Sequence, residues 1–367
     1  MAYNWQQKDW PNFSYSFIEI EDTLYQILEK VGLVSGILKA LPCDTQMETI
    51  VDIMVSEALK TSEIEGEYLS RKEVMSSIKN RLGLSQKQTT DKKAKGVGEL
   101  MVEVRNTYQQ QLTEQQLFAW HTLLFSTDTT VKVGAWRDHP EPMQVISGAM
   151  GKEKVHYEAP PSEEVAKEMH RFITWFNETG PRGKSEIKKA PIRCAIAHLY
   201  FESIHPFEDG NGRIGRAIAE KALSQSIGRP VLLSLSKTIE SKRNNYYQAL
   251  ETAQKSLEIT PWLQYFVNVI LDAQQDTENQ IDFILKKTKF FDRFKDQFSE
   301  RQLKVITRML QEGPKGFEGG MNANKYFTLT KSSKATATRD LQDLLAKGAI
   351  VLLGESGGRS TRYGLNL

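Results

Sequence analysis

Cysteine is almost missing from this chain: Cys43 and Cys194 are its only two in 367 residues, far apart and outside any CxxC pair. That excludes a disulfide framework and a cysteine-based zinc cluster, and leaves the expectation of two reduced, half-buried thiols. Long apolar runs are missing as well. Stretches such as Ile350–Leu353 run for a few residues, against the roughly 20 that a membrane helix needs. The opening segment, Met1–Phe13, lacks the basic start and apolar run of a secretory signal, so the expected setting is cytoplasmic with no membrane partner. Glycine (24) and proline (12) are too few, and too unbiased in placement, for a collagenous or disordered chain. A net charge of only +2 argues against nucleic-acid or membrane binding by the whole surface.

What charge there is lies unevenly. From Phe298 to Leu367 there are eleven Lys and Arg against six Asp and Glu, which leaves the first 297 residues at −3. A chain of this length suggests two or three domains. The boundaries expected are 1–111 for a helical N-terminal domain, 112–290 for a central domain with the helices after it, and 298–367 for the basic tail.

Helical periodicity dominates. Leu24, Ile27, Leu28 and Val31 recur at spacings of three and four, as do Ile50, Ile53, Met54 and Ala58 in a second helix that starts after Pro42 and Asp44 and stops near Gly66. Thr61 and Glu65 then share one face of it. Thr113 with Gln116 forms a capping-box pattern for a helix over 112–126. Between Val131 and Pro161 glycines and prolines surround a short alternating run at Met143–Ile146, which reads as loop and hairpin. Helices return over Glu164–Asn177, Pro191–Ser203, the segment after Gly212, Lys237–Lys255 and Pro261–Lys287. The tail reads as helices at Ser299–Gln311, Asn322–Tyr326 and Ser332–Lys347. Two strands, Ile350–Leu353 and Tyr363–Leu367, follow around a turn with Gly354, Gly357 and Gly358. Three helices and a hairpin resemble a winged helix-turn-helix. The fold class expected is mostly α.

The densest chemistry lies in Ile204–Arg216. Gly210, Asn211 and Gly212 stand just before an amphipathic helix, where free N–H groups and the helix dipole make an anion site. Arg213 and Arg216 are three residues apart, close to one face, and suit successive phosphates of a polyphosphate. Asp209 beside an anion nest implies a divalent cation between carboxylate and phosphates, with Mg2+ the default hard ion. His205 at the other end of the loop is placed to take a proton from a hydroxyl. The string also contains a literal GxGxxG, but the dinucleotide motif needs a preceding strand and an acid about 20 residues on. A helix precedes it here and no such acid follows. The bland alternative is a glycine-rich turn with solvated arginines. His198, on the apolar helix before the string, reads as a core histidine.

The string matches the Fic motif, HxFx(D/E)GNGRxxR, at every fixed position. The resemblance extends to Gly134–Arg137, Gln144–Gly148 and Ala159–Pro161, similar to a flap hairpin, and to Tyr246 and Tyr247, similar to a tyrosine pair near an adenine site. Asn4–Gln6 and Asp9–Phe13 resemble the start of an uncharacterised domain often joined to Fic cores. The resemblance implies an all-helical Fic core with a β-hairpin flap and an adenylyltransferase activity, which moves AMP from ATP to a Ser, Thr or Tyr hydroxyl of a target protein. In it His205 is the general base, Asp209 holds Mg2+, Gly210, Asn211 and Gly212 form the anion hole, and Arg213 and Arg216 bind the outer phosphates. Val145, Ile146, Ser147 and Gly148 dock an extended target segment by strand addition. Thr61-Ser62-Glu63-Ile64-Glu65-Gly66 matches the (S/T)xxxE(G/N) inhibitory pattern, which implies that Glu65 withholds Arg216 from the γ-phosphate.

Two other readings stand beside this one. The chain is a DNA-binding transcriptional regulator with a nucleotide-sensing Fic core, or a Fic enzyme that removes AMP or transfers another phosphate-containing group. Lys331, Ser332, Ser333, Lys334, Thr336, Thr338 and Arg339 crowd the start of the tail's last helix, where DNA contacts would fall. A winged helix used for protein contacts or homodimerisation is the competing use of the same module.

Overall fold

The structure, a computed structural model, describes residues 2–87, 89–126, 128, 130–147, 154–354 and 361–367. Helices dominate it, and contacts divide it into two compact units, 1–35 with 42–277 and 36–41 with 278–367. No helix among the described residues is long and apolar enough to cross a membrane.

In the first unit the helices are α1 (Glu21–Ala40, whose last turn falls to the second unit), α2 (Cys43–Ile64), α3 (Arg71–Arg81), α4 (Lys92–Asn106) and α5 (Glu114–Phe125). A hairpin of β1 (Gln144–Ser147) and β2 (Lys154–Glu158) follows, then α6 (Ser162–Glu178), α7 (Ala190–Ile204), α8 (Asn211–Ile227), α9 (Leu235–Ser241), α10 (Arg243–Ala253) and α11 (Thr260–Arg293). Local chemistry fixes several starts. Asp91 accepts from the N–H groups of Lys93 and Ala94 at the head of α4, and Thr113 accepts from Gln116 N–H at the head of α5. Such caps contribute about 1 kcal/mol each. The expected box at Thr113 is half formed, because the Gln116 amide donates instead to Thr107 Oγ1 at 3.1 Å. The helix expected over Lys237–Lys255 is two, broken at Lys242, whose φ of −134° and ψ of 40° are not helical.

The boundary expected at residue 111 does not separate two bodies. Val51, Val55 and Ala58 of α2 and Val97 and Leu100 of α4 share one buried core with Phe172 of α6, Tyr200 and Phe201 of α7 and Ile214 and Ile218 of α8. The second helix is therefore part of the wall around the Fic-like string, because its apolar face has nowhere else to be buried. Helix α7 is buried along its whole length, and α7 with α8 forms the most extensive helix pair. Cys194 lies in that buried helix while Cys43 is exposed, so the two thiols are not alike.

The second unit holds the end of α11, then α12 (Glu300–Leu310), α13 (Ala323–Thr330), α14 (Lys334–Ala346), and the antiparallel pair β3 (Ile350–Leu352) and β4 (Tyr363–Leu365). Ser299 and Gln302 cap α12 reciprocally. Phe290, Val305, Ile306, Met309, Tyr326, Leu341, Leu344 and Ile350 form its core. Asp340 is buried beneath it and is satisfied by Tyr326 Oη at 2.9 Å and Arg301 Nε at 3.1 Å. Because Phe290 and Phe294 belong to this core, the unit begins well before residue 298. Gly357 and Gly358 of the expected turn lie outside the described residues.

Candidate active site

His205 is the residue on which α7 ends. It adopts the left-handed conformation, φ 50° and ψ 60°, which is costly for a side chain with a Cβ and persists only when its surroundings enforce it. Arg137 supplies that enforcement. Its buried guanidinium donates to His205 O (2.8 Å), Pro160 O (2.5 Å), Ile204 O (3.4 Å) and Ser162 Oγ (3.0 Å), and its own N–H donates to Pro206 O at 3.0 Å. One side chain thus fastens the His205 loop to the foot of the hairpin. Burial, with the Arg137 charge adding, pushes the His205 imidazole down to about 4, so it is neutral near pH 7.

The rest of the loop is closed by Asn211, whose side chain accepts from Phe207 N–H at 2.9 Å and donates to Phe207 O at 2.8 Å. The Asn211 side-chain amide is spent on the loop, and the main-chain N–H on which the anion-hole expectation rests stays outside those bonds. The first intrahelical bond of α8 runs from Ile214 N to Gly210 O, so the N–H groups of Asn211, Gly212 and Arg213 precede the ladder. His121, buried and stacked on Phe207 at 4.2 Å, supports the loop from α5. Its Nδ1 accepts from Gly134 N–H (3.0 Å), which leaves Nε2 to donate to Asp209 O at 3.2 Å. The Asp209 carboxylate accepts from Gly210 N–H at 2.5 Å through Oδ1, while Oδ2 lies 3.8 Å from Arg213 Nη2, and the side chain is 59% exposed.

Neither arginine is free. Arg216 is buried, and its Nε donates to Thr61 Oγ1 (2.7 Å) and its Nη2 to Thr61 O (3.0 Å) and Glu65 Oε1 (2.7 Å). Burial opposes the Arg216 charge, yet Glu65, with Tyr246 and Glu202 adding, holds its pKa above the usual arginine value. Glu65 is the C-cap of α2, one residue past the helix rather than on its face, and Gly66 at φ 81° turns the chain away behind it. Gly212 makes the approach possible: a Cβ there would stand 2.3 Å from Glu65 Oε1. Arg213 lies over the Phe125 ring and donates to Glu67 Oε2 at 2.7 Å, while Lys93 holds the other Glu67 oxygen at 2.7 Å. Sequence reading placed Arg213 on phosphate and missed Glu67; an acid two positions after Glu65 is a signal only once Glu65 is known to point inward.

Most of the expected residues converge on one cavity of about 1120 Å³, lined by Glu65, Val145, Ile146, Ser147, His205, Gly212, Arg216, Tyr246 and Tyr247. Asp209, Gly210, Asn211 and Arg213 are not among its lining residues, and Gly148 lies outside the described residues. Tyr246 is buried with its hydroxyl 2.8 Å from His198 Nε2, and that histidine, stacked against Phe266, is a core residue. Tyr247 is partly exposed and donates to Ile64 O at 3.4 Å, so it touches the end of α2. Glu202, which the sequence did not single out, is buried with Oε2 3.7 Å from His205 Nδ1. Burial, joined by Glu65 and opposed by Arg216, pushes its carboxyl up to about 8. The hairpin pairs Gln144 with Glu158, Val145 with Tyr157, Ile146 with Val155 and Ser147 with Lys154, with a bulge at Val145/Ile146. As a two-stranded sheet it keeps its outer edges.

The Fic/DOC family model matches residues 111–223, and a domain of unknown function, DUF4172, matches residues 3–84. Protein adenylyltransferase Fic of Nematostella vectensis is 28% identical over 132 residues, 36% of this chain and 27% of that protein. The protein of the same name from Culex quinquefasciatus is 32% identical over 121 residues, 33% and 21%. The chain thus spans about a quarter of the length of these relatives. The crystal structure of a Fic family protein from Desulfovibrio desulfuricans G20 superposes with a TM-score of 0.53 at 20% identity, covering 97% of this chain and 98% of that one, which shows a shared fold. The mostly helical fold, the matched string and the family model agree that residues 111–223 of this chain are a domain of the Fic/DOC family.

Proposed function

We propose that the chain is a protein adenylyltransferase that transfers AMP from ATP to a Ser, Thr or Tyr hydroxyl of a target protein and is held in check by Glu65. The observation that carries this reading is the neutral, clamped His205 opening on one cavity with Arg216 and the edge of the β1–β2 hairpin. A nucleotide sensor has no need of a base there. The relatives named above bear that activity in their names, which supports the class of reaction.

In this reading a target segment adds to the β1 edge at Val145–Ser147 through its main chain, so that its hydroxyl faces His205. His205 takes the hydroxyl proton while the oxygen attacks the α-phosphorus and pyrophosphate leaves. The N–H groups of Gly212 and Arg213, ahead of the α8 ladder, face the charge that develops on phosphate. Asp209, with an exposed carboxylate, fits a hard ion held mostly by phosphates and water, and no group of three or more candidate ligands exists among the described residues. Bound there, Mg2+ would neutralise phosphate charge; Asp209 would hold it. Tyr247 at the cavity wall offers a ring face to adenine. Mass spectrometry of a Glu65→Gly variant incubated with ATP and cell lysate tests the reading. An AMP adduct on protein hydroxyls is expected, and none on any protein would overturn it.

The depressed His205 value sets a pH expectation. A base with an ordinary pKa of about 6.5 would lose kcat/KM below that value. Here the acid limb is expected near pH 4, because the ring stays neutral until then. A limb at 6 to 7 would show that burial does not depress the His205 ring in the folded protein.

The second unit is read as a winged helix-turn-helix, with α14 as the helix that meets DNA. The supporting observation is that Lys331, Lys334, Thr338 and Arg339 are exposed together around its start. Affinity for duplex DNA should fall steeply with salt, and Lys331→Ala, Lys334→Ala and Arg339→Ala combined should weaken it and lower the salt slope. Binding that ignores salt, or no binding, would leave protein contact as the use of this unit.

A further inference from the structure

A second hydroxyl and a second histidine face the same cavity, and the reaction just described uses neither. Ser147 is the last residue of β1, and its Oγ stands 2.6 Å from Nε2 of His156 on β2. The opposite ring nitrogen, His156 Nδ1, stands 2.8 Å from Glu251 Oε2 on α10. Lys255, one turn on, donates to the other Glu251 oxygen at 2.7 Å. Lys255 and His156 hold the Glu251 carboxyl down at about 2, so it is ionised and can only accept. The Nδ1 of His156 therefore carries the proton, and in the neutral ring Nε2 presents a lone pair to which Ser147 O–H donates. The order of parts is that of an activated nucleophile: hydroxyl, base, and a carboxylate that fixes the tautomer of the base.

All three residues line the cavity that also contains His205 and Arg216. We infer that Ser147, His156 and Glu251 form a relay that makes Ser147 an acceptor of AMP, a self-modification site on the hairpin. The step balances as for a protein target. Ser147 Oγ bonds to the α-phosphorus of ATP, the bond from that phosphorus to the oxygen bridging to the β-phosphate breaks, pyrophosphate leaves, and the hydroxyl proton passes to His156 Nε2. AMP on Ser147 would sit on the strand edge assigned to targets, so modification would compete with docking. The inference rests on the adenylyltransferase reading.

The test is peptide mapping of the full-length Glu65→Gly protein after incubation with ATP and Mg2+, followed by the same mapping with His156→Asn added. The expected result is an AMP ester on Ser147 whose share of all incorporated AMP falls at least tenfold with His156→Asn, while thermal melting confirms that the variant is folded. AMP on other residues with none on Ser147 would overturn the inference and leave the transferase reading standing. An unchanged Ser147 share in the His156→Asn protein would overturn the relay. Absence of AMP from every protein in the mixture would overturn both readings together.

Discussion

Glu65→Gly is expected to raise self-adenylylation about 10- to 100-fold, the scale of one charge-assisted hydrogen bond of about 1.5 to 3 kcal/mol moved from carboxylate to phosphate. The sign is what makes this informative. An exposed helix-end glutamate replaced by glycine would change stability slightly and activity hardly at all. Glu65 instead occupies Nη2 of a buried guanidinium at 2.7 Å, and its removal leaves Arg216 held only by Thr61 and free to turn toward the γ-phosphate. Adding Arg216→Ala should abolish the gain, since the released guanidinium is its source. Self-adenylylation no higher in Glu65→Gly than in the parent would sink the restraint while leaving the family assignment intact.

His205→Ala should lower transfer by roughly 10²- to 10⁴-fold, the usual contribution of a positioned base, with ATP affinity nearly kept. In the proposed reading the ring serves the incoming hydroxyl, and the arginines and N–H groups assigned to phosphate lie on α8. Because the residue is left-handed, with φ at 50°, alanine there also carries strain of order 1 kcal/mol. His205→Asn is the cleaner variant, since asparagine tolerates that conformation. Transfer lost in both, with unchanged melting and nucleotide binding in the asparagine variant, assigns the base. Equal loss of binding and transfer would make the histidine structural.

The helices and the loop string were legible because their signals are local: apolar periodicity, Gly66 as a stop, and glycines ahead of a helix. Even so, helical periodicity over Pro191–Ser203 calls for only one buried face of α7, whereas the structure buries every face. The polar residues opposite are satisfied by distant groups, as Arg193 is by Phe176 O at 2.8 Å and Ala222 O at 3.0 Å, and periodicity cannot register a partner that far along the chain. His121, Glu67 and Glu202 escaped notice for the same reason, and Arg137 entered only as the last residue of the flap-like segment Gly134–Arg137. Arg137, His121 and Glu67 act on the loop or its arginines through contacts that exist only once the hairpin, α5, α2 and α8 are folded together, and Glu202, three residues before His205, is buried beside it by the same packing. The motif named the residues proposed to meet substrate; the supports had no motif to name them.

That α2 is built into the common core limits how the restraint proposed for Glu65 is lifted. A regulator on a separate body leaves by undocking, at a rate and midpoint set by how tightly the bodies associate. Val51, Val55 and Ala58 forbid that route here, for pulling α2 away would open the interior beneath α7 and α8. Release has to be a fraying of the last turn around Ser62–Gly66, an equilibrium costing far less than global unfolding and independent of protein concentration. Amide hydrogen exchange would then show early exchange confined to that turn, with the body of α2 as slow as the rest of the core, and basal activity would track the frayed fraction.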